Sequence, residues 1–216
     1  MPPENSRRSF LDVRAHVLNS SIKLTKTSAD HDIYHYDVNT KVPHELLAYS
    51  ASKSRSLSAA EDFIKTNKPS YDVVFLMPSL LLGNNPLAKT RRELFSGSNA
   101  PLLGTLLGQF GRPILDSSVS LEDTVRLHVV ALDTSIPAGR YLVASNGPEG
   151  APWGDAISIV KKYFPEASGK VFATDETPTV VPLNVDFSKT EKAFGIKFQS
   201  FEEQVKSVTE NYLALD

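Results

Sequence analysis

Apolar positions along the chain fall into two kinds of run. The first kind is continuous. Tyr71-Asp72-Val73-Val74-Phe75-Leu76-Met77 is nearly unbroken, and Arg140-Tyr141-Leu142-Val143-Ala144-Ser145 is similar. Runs of this kind predict strands of a parallel sheet, covered on both faces. Ala15-His16-Val17-Leu18-Asn19-Ser20-Ser21-Ile22 predicts a shorter strand that ends in hydroxyl residues, and Ile114-Leu115 with Val119 predicts one more. The second kind recurs at helical spacing. After Pro43, the positions Leu46, Leu47, Leu57, Ala60 and Ile64 predict a helix over about 44–67, closed by Asn67-Lys68-Pro69-Ser70. Further helices are predicted near 99–109, 121–133, 152–164, 186–194 and 200–213. Residues 1–14, polar and basic, read as a tail or a short helix, and residues 23–42 as a polar loop. Strands alternating with helices indicate an α/β protein with a mainly parallel sheet. There is no internal repeat and no low-complexity tract.

Composition removes several function classes. The chain has 216 residues, enough for one large domain or two small ones. Its net charge of −2 gives no electrostatic case for a nucleic-acid partner. It has no cysteine, which excludes disulfides, thiol catalysis and thiolate-bound zinc. No segment reaches the ~18 apolar residues of a membrane span, and Met1-Pro2-Pro3-Glu4-Asn5 opens no secretory signal. The cytoplasm is the expected location.

The candidate chemistry begins in Ala48-Tyr49-Ser50-Ala51-Ser52-Lys53. On a helix, Tyr49 and Lys53 share one face. An ammonium beside a phenol favours the phenolate, which could exchange a proton with a carbonyl or an alcohol. Lysine could also hydrogen-bond a ribose hydroxyl. Ser20 and Ser21, ending the preceding strand, are placed to hold a carbonyl oxygen at the carboxyl edge of the sheet. The spacing alone is weak: the chain has 7 tyrosines, and an exposed helix accommodates both residues without any function. The order of elements strengthens it. An Asn-Ser-Ser strand comes first, then the Tyr/Lys helix, then a buried strand that ends in Pro78-Ser79.

In these stretches the sequence resembles the extended short-chain dehydrogenase/reductases, in the branch with dihydroflavonol reductase, cinnamoyl-CoA reductase and fungal aldehyde/ketone reductases. The likeness is carried by HVLNSSI at 16–22, YSASKSRSLSAAEDFI at 49–64 and DVVFLMPSLLLGNNPL at 72–87. It continues through SVSLEDTVRLHVVAL at 118–132, GRYLVAS at 139–145 and DFSKTEKAFGIKFQSFEEQV at 186–205. The resemblance implies reduction of an aldehyde or ketone, a small-molecule carbonyl substrate, with NADP(H) or NAD(H). It implies that Ser21 orients the substrate carbonyl, with Ser20 the competing choice. Tyr49 would be the general acid/base, and Lys53 would lower its pKa and hold the nicotinamide ribose. Met77, Pro78 and Ser79 would lie along the nicotinamide. It also implies an organisation: a tail at 1–14, the catalytic half of a Rossmann-like domain at 15–83, and a substrate-side α/β region with remaining sheet elements at 84–216.

One family feature is missing. The family opens on a strand, a Gly-x-x-Gly-x-x-Gly turn and a helix that together hold the pyrophosphate. The first glycine here is Gly83, and Gly104, Gly108 and Gly111 have the wrong spacing and no preceding strand. These three read as helix packing or a helix end. The expected fold is therefore an incomplete Rossmann-like sheet in a truncated chain, with impaired dinucleotide binding. The strand at 16–21 would then have an uncovered edge, to be met by a homodimer partner, a complementing chain or residues 1–14. Two further readings stay open: a cofactor-independent acid/base enzyme (isomerase, cyclase or dehydratase) reusing Ser/Tyr/Lys, and a non-catalytic binding or regulatory remnant.

The remaining candidates are blander. His31 and His35 have i,i+4 spacing suited to a metal on a helix, but they sit in a polar loop. His16 and His128 read as core or boundary residues. Trp153 reads as packing, or as lining on the substrate side, and Arg91-Arg92 as surface. The segment 84–110 is expected to carry substrate-facing residues, none of them identifiable by type.

Overall fold

A computed structural model describes residues 8–12, 27–28, 45–172 and 176–216. The strand expected at 15–22 lies outside the described residues, with Ser20, Ser21, His16, His31 and His35.

Three parallel strands form the main sheet: β1 (Arg8–Asp12), β3 (Asp72–Pro78) and β7 (Gly139–Val143), in the order β1-β3-β7. The register runs from Arg8↔Asp72 to Asp12↔Leu76 on one side of β3, and from Val74↔Gly139 to Pro78↔Val143 on the other. Arg8–Asp12 falls inside the segment read as a tail or short helix and is instead a strand. A two-residue strand, β2 (Thr27–Ser28), lies within the segment read as a loop. It pairs with β9 (Val185–Asp186).

The apolar run of β3 is buried on both faces, as its continuity requires. Val74 and Leu76 pack with Tyr141, Val143, Val119, Leu127 and Phe194 on one side. Phe75 and Met77 pack with Leu142, Leu183 and Leu57 on the other. Leu57 belongs to helix α1 (Glu45–Asn67), whose Ala60 and Ile64 pack against the same layer. The side covered by Val119, Leu127 and Phe194 comes from β6 (Ser118–Ser120), α4 (Leu121–Val130) and α6 (Ser188–Phe194).

The rest of the chain builds a second core. Helices α2 (Arg91–Phe95), α3 (Ala100–Leu106), α5 (Ala156–Tyr163) and α7 (Phe201–Leu213) enclose Leu94, Leu102, Leu103, Leu106, Val205 and Val208. Trp153 is 1% exposed in this core, edge-on to Phe201 at 5.3 Å between ring centroids, and is a packing residue. Arg91 is more than surface: its Nε donates to the Tyr212 carbonyl at 3.1 Å, and its guanidinium lies over the Tyr212 ring. His128 is half-buried, with Nδ1 2.7 Å from the Thr124 carbonyl.

The expected single strand at 114–119 is two. β5 (Ile114–Leu115) pairs with β8 (Val180–Val181), whereas β6 pairs with β4 (Leu80–Leu82). The chain changes partner at Asp116-Ser117, where the Asp116 carboxylate accepts the Leu183 N–H. Gly104 sits inside α3, where a Cβ would come within 2.7 Å of the Gln109 carbonyl oxygen, and Gly108 follows the helix at φ +67°. The first is helix packing and the second a helix end, in line with the sequence.

Candidate active site

The site lies at the carboxyl end of β3. Helix α1 turns back through Lys68–Tyr71 into that strand. The rise from Tyr49 to Asn67 is about 27 Å in a helix, and from Asp72 to Ser79 about 23 Å in a strand. Tyr49 therefore comes level with Pro78 and Ser79, with Leu57 and Ile64 packed on β3 between the two ends.

Tyr49 and Lys53 are half-buried and one helical turn apart. The Lys53 Nζ is 5.7 Å from the centroid of the Tyr49 ring, within reach of a cation–π contact. Met77 and Pro78 are buried at the strand end. The Ser79 N–H donates to the Val143 carbonyl at 3.0 Å, which fixes this corner to β7. The Ser79 Oγ is inaccessible to solvent and has no hydrogen-bond partner among the described residues. Helix α1 thus carries Tyr49 and Lys53 one turn apart, and the end of β3 carries Met77 and Pro78 with Ser79 next, while Ser20 and Ser21 fall outside the described residues.

A cavity of about 560 Å³ opens beside this corner. Leu47 and Ser50 of α1 and Ser79 line one wall. Phe95, Pro101, Thr105, Gln109 and Phe110 line another. These are members of the segment 84–110 that line the cavity. Sequence reasoning missed Ser50 and Ser117. Ser50 follows Tyr49 directly and is 4% exposed. Ser117 is also 4% exposed, lines the cavity, and its Oγ has no hydrogen-bond partner among the described residues. No local pattern marks it, because its placement depends on the pairing of β4 with β6.

Next to Ser117, burial pushes the Asp116 carboxyl above the usual carboxylate range, against the opposing pull of the Leu183 N–H. Gly150, at φ +77°, packs its α-carbon onto this carboxylate, and a Cβ there would overlap it. Among the described residues, no helix is long and apolar enough to cross a membrane.

The nicotinamide end of a dinucleotide suits this corner. An orphaned hydroxyl at Ser79 and a lysine one turn from a tyrosine are donors of the right kind. The sequence has no glycine before Gly83 from which a pyrophosphate turn of this family could be built.

Comparison with known proteins agrees with this architecture. No protein-family model matches the chain. The ketoreductase CTB6 of Cercospora beticola is 39% identical over 181 residues, covering 80% of this chain and 50% of the relative. The NAD-dependent epimerase/dehydratase ALT6 of Alternaria alternata is 30% identical over 178 residues, covering 74% and 49%. The chain thus spans about half the length of the curated relatives it matches. Among solved structures, Gre2 of Candida albicans in complex with NADPH superposes with a TM-score of 0.65 at 18% identity, over 88% of this chain and 57% of that one. The ordered motifs, the parallel sheet and these relatives agree: the chain belongs to the extended short-chain dehydrogenase/reductase family, the NAD-dependent epimerase/dehydratase group.

Proposed function

We propose that the protein is an oxidoreductase that reduces a ketone or aldehyde on a small apolar substrate, with NADP(H) or NAD(H). Tyr49 and Lys53 on one face of α1, a helix whose Leu47 and Ser50 line a cavity together with Ser79, carry this reading. The relatives named ketoreductase support it. When bound, the dinucleotide supplies a hydride to the carbonyl carbon. The phenol of Tyr49 gives its proton to the carbonyl oxygen, so that a ketone gains two hydrogens and leaves as an alcohol. Lys53 stabilises the phenolate left behind and holds the nicotinamide ribose. Ser21, or Ser20 beside it, hydrogen-bonds the carbonyl oxygen and orients it toward Tyr49. Met77, Pro78 and Ser79 border the nicotinamide, with the Ser79 hydroxyl as its polar contact.

The same reading makes dinucleotide binding by this chain alone weak, because the glycine turn that cradles a pyrophosphate is missing from residues 1–82. A second chain carrying that turn would complete the site, and a homodimer partner could cover the open edge of β1, which has one strand neighbour among the described residues. A cytoplasmic location belongs to this reading. A second reading, a cofactor-independent isomerase, cyclase or dehydratase, draws on the same missing turn.

Calorimetric titration with NADPH and an NADPH-oxidation assay on a panel of aromatic ketones test both. The expected result is weak binding by the isolated chain, and turnover that Tyr49→Phe lowers by roughly 10²–10⁴-fold. Turnover unchanged in Tyr49→Phe removes the proton-transfer role. Substrate conversion without NADPH, lost in Tyr49→Phe, selects the second reading.

A further inference from the structure

The register Leu80↔Ser118 has a consequence one residue earlier. Ser79 and Ser117 each stand one residue before a paired strand, at the entry to β4 and to β6. Both line the cavity, and neither hydroxyl has a hydrogen-bond partner among the described residues. Burying a hydroxyl without a partner is unfavourable, so such groups call for a binding role. The surrounding wall is mainly apolar, with Leu80, Phe95, Phe110, Ile114 and Leu115, and Arg112 also lines it. A serine hydroxyl both donates and accepts, and so suits a hydroxyl or carbonyl oxygen.

We infer that Ser117, with Ser79 beside it, is a subsite for a neutral oxygen function of the substrate, a hydroxyl or second carbonyl set apart from the reacting one. The substrate class is then a ring-sized apolar ketone with a further oxygen. Ser117 decides which end of it faces Tyr49. This rests on the reading of the cavity as the ketone site. Ser79 borders the nicotinamide in that reading, and Ser117 extends the hydroxyl pair away from it.

The test titrates the chain with 1-tetralone and its 5-, 6- and 7-hydroxy derivatives, by calorimetry or amide chemical shifts. At least one hydroxylated ketone is expected to bind roughly five- to tenfold more tightly than 1-tetralone. Ser117→Ala should abolish that preference and leave 1-tetralone binding within about twofold. Ser117→Thr, which keeps the hydroxyl, should retain it. If Ser117→Ala does not fold, the near-isosteric Ser117→Cys, a weak donor, takes its place. A preference unchanged in these variants overturns the subsite, as does equal binding of all four ketones or binding of none. If the preference depends on Ser117 but NADPH is never oxidised, the subsite stands and the reductase reading fails. NADPH-dependent reduction that discriminates equally well in Ser117→Ala sinks the subsite and leaves the reductase reading standing.

Discussion

Arg140 holds Glu61 with two nitrogens: Nε donates to one carboxylate oxygen and Nη2 to the other. The pair joins α1 to β7, across the sheet layer that carries the site. Its side chains are 22% and 30% exposed, so solvent screens it only partly. A forked pair of this kind is stronger than a single surface contact. Arg140→Ala is expected to lower stability by about 1–2 kcal/mol, between an exposed ion pair and a hydrogen-bonded buried one. Urea unfolding at low and high salt checks it. An unchanged midpoint at low salt rejects the role. Because α1 also carries Tyr49 and Lys53, the variant should also broaden the amide resonances of residues 45–53.

Gln204 is 0% exposed and connects α7 to the ends of two strands. Its Nε2 donates to the Ser145 Oγ at 2.7 Å, and its Oε1 accepts from the Ser118 Oγ at 2.8 Å. Leucine at 204 fills a similar volume but leaves the Ser118 hydroxyl without its acceptor, whereas the Ser145 hydroxyl still bonds the Ser118 carbonyl and the Asn146 amide. Gln204→Leu is expected to cost about 1–3 kcal/mol, from one unsatisfied buried group. Adding Ser118→Ala to Gln204→Leu should cost less than Ser118→Ala alone, because the orphaned group is removed. Additive effects in this double-mutant cycle would break the link.

Parts of this molecule are legible locally and parts are not. The uninterrupted run of β3 announces burial on both faces, and Ser200 with Glu203 announces the start of α7 through a reciprocal capping box. Tyr49 and Lys53 are legible because helical spacing alone puts them on one face. The break in 114–119 is not, because it depends on Leu183, far along the chain, supplying an N–H to Asp116. The same holds for Ser117, a serine in a run of small polar residues until β4 pairs beside it. Arg8–Asp12 is hidden by its polar surroundings: a strand is recognised there only once β3 offers its edge.

Gly150 sits against Asp116 at φ +77° and ψ 178°, a backbone region used essentially by glycine alone. Gly150→Ala meets two obstacles. The backbone region costs about 1–3 kcal/mol for a residue with a Cβ, and the new methyl overlaps the Asp116 carboxylate. Thermal melting should show a loss larger than the backbone cost alone. Adding Asp116→Ala should remove the excess, leaving the backbone part. A Gly150→Ala variant as stable as the parent rejects the close packing of this turn.

The pH dependence of stability should carry the mark of Asp116. Burial raises its carboxyl pKa above the ordinary 3.8 in the folded protein. In the window between the unfolded and folded values, the folded state keeps a proton that the unfolded state has lost. Stability from this group is then fully present below the unfolded value and is lost as pH rises through the folded one. Asp123 acts in the same direction: its burial outweighs the N–H of Gln199, which donates to its Oδ2 at 2.7 Å. Asp116→Asn keeps an oxygen for the Leu183 N–H but carries no titrating proton. Its stability should fall less than the wild type's as pH is raised from about 4 toward neutrality. It should gain on the wild type at neutral pH. The double variant with Asp123→Asn should flatten the profile further. Urea unfolding across that range measures both slopes. A slope for Asp116→Asn equal to the wild-type slope would show that the buried carboxyl takes no part in the linkage.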